Sequence, residues 1–224
     1  FDASVTLTAA NGVYAEGSGT FDVGGAKLVI DTPFLGERAL VADPRGQKLQ
    51  PRLGLLTSND FALINSAGTT AAAVAAAPGA QIAIGGASTP VRSVRIDNVT
   101  LRATAGQIDI RSAGSINVTG NASLAAPGYA KTFGDAADAV SVSAPGGGLT
   151  LVAQAGDIDF DSATRVSIGG GSGNAGTLRL SAAAGLVRLP GTIDASAPGG
   201  AASLTLDSAL NPFVSGTSGA RLFD

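Results

Sequence analysis

The chain has 224 residues, 32 of them Gly, and its 14 Lys and Arg against 17 Asp and Glu give a formal charge of −3, so it offers no basic field to gather nucleic acid or acidic lipid. Cys and His are both absent, which excludes disulfides, thiolate metal sites and every Ser-His-Asp or Cys-His arrangement. Glu occurs only at Glu16 and Glu37 while Ala, Val, Leu, Ser and Thr abound, a composition without the Glu/Lys/Leu enrichment of helical proteins that predicts an all-β chain.

Alternation of apolar and polar residues begins almost at once, in Val5-Thr6-Leu7-Thr8-Ala9 and again in Phe21-Asp22-Val23; both read as short strands. Between Asp31 and Thr89 the pattern loosens. Asp31-Thr32-Pro33-Phe34-Leu35-Gly36 and Ala42-Asp43-Pro44-Arg45-Gly46 are turn-rich, and Pro interrupts ladder pairing. Strand-like runs return at Leu53-Gly54-Leu55-Leu56, Phe61-Ala62-Leu63-Ile64 and Gln81-Ile82-Ala83-Ile84. The region 31–89 is therefore expected to hold coils with extended loops, or an insertion packed on their side. The apolar run Ala71 to Ala77 is far shorter than the roughly 18 residues of a membrane span; it reads as a loop or short helix, and no membrane insertion is expected.

The most constraining feature follows. The pattern Φ-x-Leu-x-Ala-x-Ala-Gly-x-(Ile/Val)-x-Φ, where Φ is a large apolar residue, occurs at Val99 to Ile110, Leu149 to Phe160 and Leu178 to Leu189. Apolar residues alternate, break at Ala-Gly and resume, as two strands joined by a tight corner should read. Gly106, Gly156 and Gly185 lie 50 and 29 residues apart, which suggests two turns and then one turn of a repeat of roughly 25 to 29 residues. A third strand follows each copy, at Ser115 to Val118, Arg165 to Ile168 and Thr192 to Asp194; Ala139 to Val142 and Ser203 to Leu206 suggest further coils. Three strands per turn with Gly/Ser/Asn-rich corners describe a parallel β-helix, a solenoid in which Leu, Val, Ile and Phe fill one elongated core. Residues 1–224 are expected to form a single such domain. A second irregular stretch, Ala125 to Ala136, is expected to bulge from one coil. No Met is present, so the sequence is expected to be an internal segment of a larger chain, a processed product being the alternative.

Three features invite a chemical reading, and each has a plainer one. Asp157, Asp159 and Asp161 alternate with Ile158 and Phe160, placing three carboxylates on one outer face, as glycoside cleavage would require of a carboxylate pair. In repeat register Asp159 aligns with Asp109 and Arg188, so an exposed Asp159–Arg188 contact between stacked coils is the more economical account. The glycine-rich segment Gly169 to Gly176 resembles a calcium-binding nonapeptide repeat but contains no Asp, which leaves a flexible corner. Asn98, Asn117 and Asn121 open Asn-x-Ser/Thr sequons, which arise readily in such a composition; Asn at these corners also suits amide stacking along a β-helix. No catalytic, cofactor-binding or metal-ligating residue is assigned, and an enzyme is not expected.

The Leu149 to Phe160 copy, its relatives from Val99 and Leu178, and the opening Val5-Thr6-Leu7-Thr8-Ala9-Ala10-Asn11-Gly12 resemble the shaft repeats of filamentous haemagglutinin-like exoproteins, bacterial surface proteins of the two-partner secretion type. The resemblance covers chiefly residues 98–207 and the first 25. It implies a right-handed parallel β-helix, exported through an outer-membrane secretion partner and displayed outside the cell as a rigid, adhesive rod. The partners it implies are the rest of the same chain or neighbouring fibre subunits, with contact to a host surface or matrix. A self-assembling extracellular fibre or matrix subunit is the alternative, and a β-helical polysaccharide-degrading enzyme a more distant one.

Overall fold

Alternating sequences of this kind form strands because every second side chain can be buried while the backbone pairs on both sides. The computed structural model describes residues 3–38, 50–71, 73–133 and 138–209. Among them there is no helix; twenty strands build three parallel sheets, and two more form a hairpin. The fold is a parallel β-helix of seven stacked coils.

The first coil comprises β1 (Ser4–Thr8), β2 (Val13–Ala15) and β3 (Ser18–Asp22), one strand each for sheets A, B and C. The second adds β4 (Lys27–Asp31), β5 (Phe34–Glu37) and β6 (Arg52–Leu56), and the third β7 (Phe61–Ile64) and β8 (Gln81–Ile84). Then come β9 (Val94–Asp97), β10 (Thr100–Arg102) and β11 (Gln107–Ser112). The fifth coil contains β12 (Ile116–Thr119), β13 (Ser123–Ala125), the hairpin β14 (Tyr129–Phe133) and β15 (Val140–Ala144), and β16 (Gly148–Ala153). Two coils complete the stack: β17 (Ile158–Phe160), β18 (Arg165–Ser167) and β19 (Thr177–Ala182), then β20 (Val187–Arg188), β21 (Thr192–Asp194) and β22 (Ser203–Ser208).

Register puts like upon like. In sheet B the inward ladder runs Val13, Leu35, Leu101, Leu124, Val166, Ile193. In sheet C, Leu55, Ile84, Ile110, Leu151, Leu180 and Leu206 stack in order, and in sheet A, Ile30, Leu63, Ile96, Val118 and Phe160 do so. Most of these side chains are fully buried in one continuous core, each contributing about 1.5 to 3 kcal/mol.

The strands expected within 31–89 are present at 52–56, 61–64 and 81–84, so this region consists of coils carrying loops; the Asp31 to Gly36 segment, expected to be turn-rich, instead contributes Phe34 to Gly36 to β5, because Pro33 lies just before the strand and leaves its pairing intact. The Ala42 to Gly46 turn lies outside the described residues. In the third coil sheet B receives no strand: β5 pairs directly with β10, Leu35 against Leu101. Among the described residues, 66–71 and 73–79 therefore pass as a loop that adds no strand to the sheets, and the Arg102 guanidinium donates to Val74 O at 3.2 Å.

Two expectations are corrected. The three copies of the twelve-residue pattern are not in phase: Val99 to Ile110 spans the corner from sheet B to sheet C, whereas Leu149 to Phe160 and Leu178 to Leu189 span the corner from C to A. Gly106 stacks with Gly147 and Gly176, while Gly156 stacks with Gly114 and Gly185, so the 50-residue interval is not two whole turns. Both corners need a residue that lets stacked backbones approach closely, and they acquire the same local sequence for that reason. Accordingly Asp159 lies between Asn117 and Arg188, not beside Asp109. The alanine before each glycine also leaves the inward alternation: Ala105 takes a left-handed φ of 47°, and Ala155 and Ala184 are exposed.

The second correction concerns Ala139 to Val142. Val140 to Val142 belong to β15, which pairs antiparallel with β14 and not with a neighbouring coil. Of the irregular stretch expected at 125–136, residues 125–133 are the root and first arm of this hairpin, and the rest lie outside the described residues. Val140 and Val142 are 61% and 43% exposed, so alternation there marks one face of a projecting ribbon.

Candidate recognition surface

A β-helix buries its inward residues alike in every coil, so chemical individuality resides in outward side chains and in segments that leave the stack. Three places stand out: the outer face of sheet C, the Asp157–Asp161 corner and the hairpin.

The starts of the sheet C strands share a pattern. Arg52-Leu53-Gly54-Leu55, Gln81-Ile82-Ala83-Ile84 and Gln107-Ile108-Asp109-Ile110 stack residue on residue. Inward positions are large and apolar; the first outward position is long and polar, and the second is Gly54 or Ala83. Stacking of small residues beside long ones forms a trough of about 700 Å³, floored by Gly54 and Ala83. Arg52, Gln81 and Gln107 stand along one side, Thr20 lies at one end, and Asp109 and Thr150 lie towards the other. Among the described residues Arg52 has no carboxylate partner, whereas Asp109 accepts from Arg111 Nε at 3.0 Å. The trough was not anticipated from the sequence. Its signal was available as the recurrence of long-polar, apolar, x, apolar at three strand starts, with x small at Gly54 and Ala83, but only coil register shows that these fall on one face.

The three aspartates expected on a single strand face have separate structural roles. Only Asp159 lies within β17, and it accepts from Arg188 at 2.6 Å, the cross-coil pair that the repeat suggested. Asp157 accepts from Leu186 N at 2.8 Å and from Arg188 at 2.9 Å; the backbone bond first, and the guanidinium second, hold its carboxyl below the usual range. Asp161 caps a turn, accepting from the backbone N–H groups of Ala163 and Thr164, the Thr164 hydroxyl, and Gly120 N of the coil beneath. Burial alone would raise Asp161, but the Thr164 hydroxyl and the backbone donors outweigh it and leave its carboxyl below the ordinary value. None of the three lines the trough.

Asn98 occupies the corner between sheets A and B with a left-handed φ of 55°, a conformation Asn tolerates better than most residues, and its amide donates to Asn65 O at 3.3 Å. Asn117 is a partly covered outward residue of β12, and Asn121 is exposed in the next turn. The Gly169 to Gly176 segment packs against the root of the hairpin: a Cβ on Gly128 would overlap the Gly170 carbonyl. Among the described residues no group of three or more His, Cys, Asp or Glu is placed to hold a metal, and no helix is long and apolar enough to cross a membrane.

The outer face of sheet B carries a different feature. Phe34 folds over Gly36, with the Arg102 guanidinium 4.9 Å from its ring centre and the Tyr14 ring 5.7 Å away. Glu37 is fully buried; its Oε1 accepts from Arg102 Nε at 2.9 Å and from the Thr104 hydroxyl at 2.7 Å. This cluster ties the second and fourth coils together where the third coil contributes no strand. It is a structural weld between the two coils.

No family model, curated protein or solved structure matches this chain.

Proposed function

We propose that the chain is a structural and adhesive segment of an extracellular bacterial fibre of the filamentous haemagglutinin type. One observation carries the reading: among the described residues sheets A and C run through all seven coils and sheet B through six, each with a continuous inward ladder, while sequence variety falls on outward side chains and on segments that leave the stack. Such a stack is stabilised by nearest-neighbour contacts and can form progressively as a chain emerges from an export channel, without waiting for distant segments. The resemblance of the repeats to exoprotein shafts supplies the cellular setting, with an outer-membrane secretion partner and display at the cell surface. Electron microscopy of native material is the test. Rods containing this segment within different flanking sequence support the reading, and compact particles overturn it.

A self-assembling fibre subunit is the second reading. The inward-type residues Leu7 and Phe21 of the first coil are each 37% exposed, and β1, β2 and β3 present unpaired edges among the described residues, which accept a further coil whether from another copy or from the same chain. Rods built from repeated copies of the 224 residues would establish it in place of the single-chain fibre.

A further inference from the structure

The trough on sheet C has dimensions and chemistry that single out a class of ligand. At about 700 Å³ it is in the range of ligand sites, but it is open and spans strands of five consecutive coils, β3, β6, β8, β11 and β16. Four spacings of about 4.8 Å make it about 19 Å long in the stacking direction. An open trough of that length holds a linear molecule lying along the axis better than a compact one.

Its walls narrow the choice. The sheet's own N–H and C=O groups are engaged between coils, so an added peptide strand finds no backbone partners on this face. The large apolar residues at its rim, Leu53, Ile82 and Ile108, belong to the inward alternation, and no aromatic side chain lines it, which leaves little for a lipid or an apolar peptide. One arginine and one aspartate already engaged by Arg111 make no polyanion track of the kind that nucleic acid requires. What remains is a row of groups that each donate and accept, the amides of Gln81 and Gln107 and the hydroxyls of Thr20 and Thr150, above a floor kept low by Gly54 and Ala83. A chain of hydroxylated rings presents the same alternation of donors and acceptors. Arg52, without a carboxylate partner among the described residues, adds a planar fork matched to a carboxylate.

We propose that this trough binds a linear, unsulfated uronic-acid polysaccharide lying along the stacking axis, with Arg52 receiving one carboxylate and Gln81 and Gln107 bonding ring hydroxyls. The inference rests on the adhesive reading above and gives it a ligand class. The site holds the polymer; none of the aspartates at the Asp157–Asp161 corner reaches it, and no cleavage step is assigned.

Calorimetric titration of the full 224-residue chain with hexagalacturonate, cellohexaose and a heparin hexasaccharide tests this. Hexagalacturonate binds and the other two bind at least about tenfold more weakly. Arg52→Ala weakens hexagalacturonate about tenfold, in keeping with loss of one charge-assisted pair, and Ala83→Gln, which fills the floor from an outward position, abolishes binding. Arg95→Ala, on the outer face of sheet A away from the trough, leaves it unchanged. Circular dichroism confirms that each variant keeps its β signal, and Gln107→Ala serves as a second trough variant should Ala83→Gln fail to fold. No heat with hexagalacturonate at millimolar concentration, equal binding of the variants, or a preference for the sulfated oligomer overturns the proposal. Adhesion of whole fibres that persists in Arg52→Ala would sink the trough as the adhesive site and leave the fibre reading standing.

Discussion

Replacing Gly176 by Ala sets two effects of opposite sign against each other. Gly176 has no left-handed φ that would require glycine, and Gly→Ala at a compatible position stabilises by about 0.4 to 1 kcal/mol through the unfolded chain. The corner stack opposes it. A Cβ on Gly176 would overlap the Gly147 carbonyl oxygen and stand 2.8 Å from the Gly146 carbonyl carbon. The obstacle is backbone, held by Gly176 N donating to Ile168 O at 2.7 Å and Thr177 N donating to Gly147 O at 2.9 Å, so no side-chain rotation relieves it. Overpacking costs about 1 to 3 kcal/mol and weakening of these two corner bonds about 1 kcal/mol more, so a net loss of about 1 to 3.5 kcal/mol is expected. Urea unfolding gives the total, and hydrogen exchange locates it, because a solenoid loses structure coil by coil. Protection should fall first at Gly148, Thr177 and Ser203, whose N–H groups bridge this corner. Gly17→Ala, where a Cβ meets nothing within 4 Å, should stay within about 0.5 kcal/mol of the parent. Equal stability and exchange for Gly176→Ala and Gly17→Ala would refute the claim that close corner stacking selects glycine.

Leu151 is fully buried between Ile110 and Leu180, so Leu151→Asp should cost several kcal/mol and Val187→Asp should loosen the last coils; a parental melting temperature in both would contradict the inward assignment. Arg102→Ala strands the buried Glu37 carboxylate and should cost about 3 to 5 kcal/mol, whereas Arg102→Met with Glu37→Gln should recover most of that; equal unfolding curves for the single and double variants would show that the charge pair is not what matters. Acid should weaken the stack. The hydrogen bond from Arg92 foremost, aided by Ser93 and opposed by burial, lowers Asp60 from its ordinary 3.8 to about 2, and Asp157, Asp161 and Asp194 are lowered too. A carboxyl depressed by folding stabilises above its unfolded pKa and loses that contribution as pH falls through the folded one, here between about pH 4 and pH 2. For Asp60, discounted for solvent screening by its exposed surroundings, this is about 1 kcal/mol. Melting temperature measured from pH 6 to pH 2 should drop in that window and drop less in Asp60→Asn; a flat profile would oppose the assignment.

Much of the fold was legible because a period-2 pattern interrupted at regular intervals admits few other solutions. Leu53 to Leu56, Phe61 to Ile64 and Gln81 to Ile84 declared themselves as strands by local alternation, and Asp159 and Arg188 were brought opposite each other by repeat register between two copies that happen to be in phase. The Val99 copy was misread for the same reason that the others were found. A tight corner makes similar demands wherever it occurs, so one motif serves two different edges of the triangular coil, and sequence similarity cannot say which. Alternation in Val140 to Val142 is common to a coil strand and a hairpin arm; β14, close by in the chain, offers partners at less loop-closure entropy than the neighbouring coil does. The Glu37–Arg102 pair, 65 residues apart, depends on the absence of a strand from sheet B in the third coil, which no local pattern announces.

The amino-acid sequence alone determined that the chain is all-β, that its interior is a stack of aliphatic side chains, and that nucleophilic and metal chemistry based on His or Cys is out of reach, because composition and periodicity are properties of each short segment by itself. The tertiary structure decided which corner each glycine occupies, which segments leave the stack, and that Arg52, Gln81 and Gln107 line one trough above Gly54 and Ala83. These depend on how many residues each loop inserts between strands: the ladders keep their register across short corners and the inserted hairpin alike, so the spacing of residues along the chain does not reveal which of them stack.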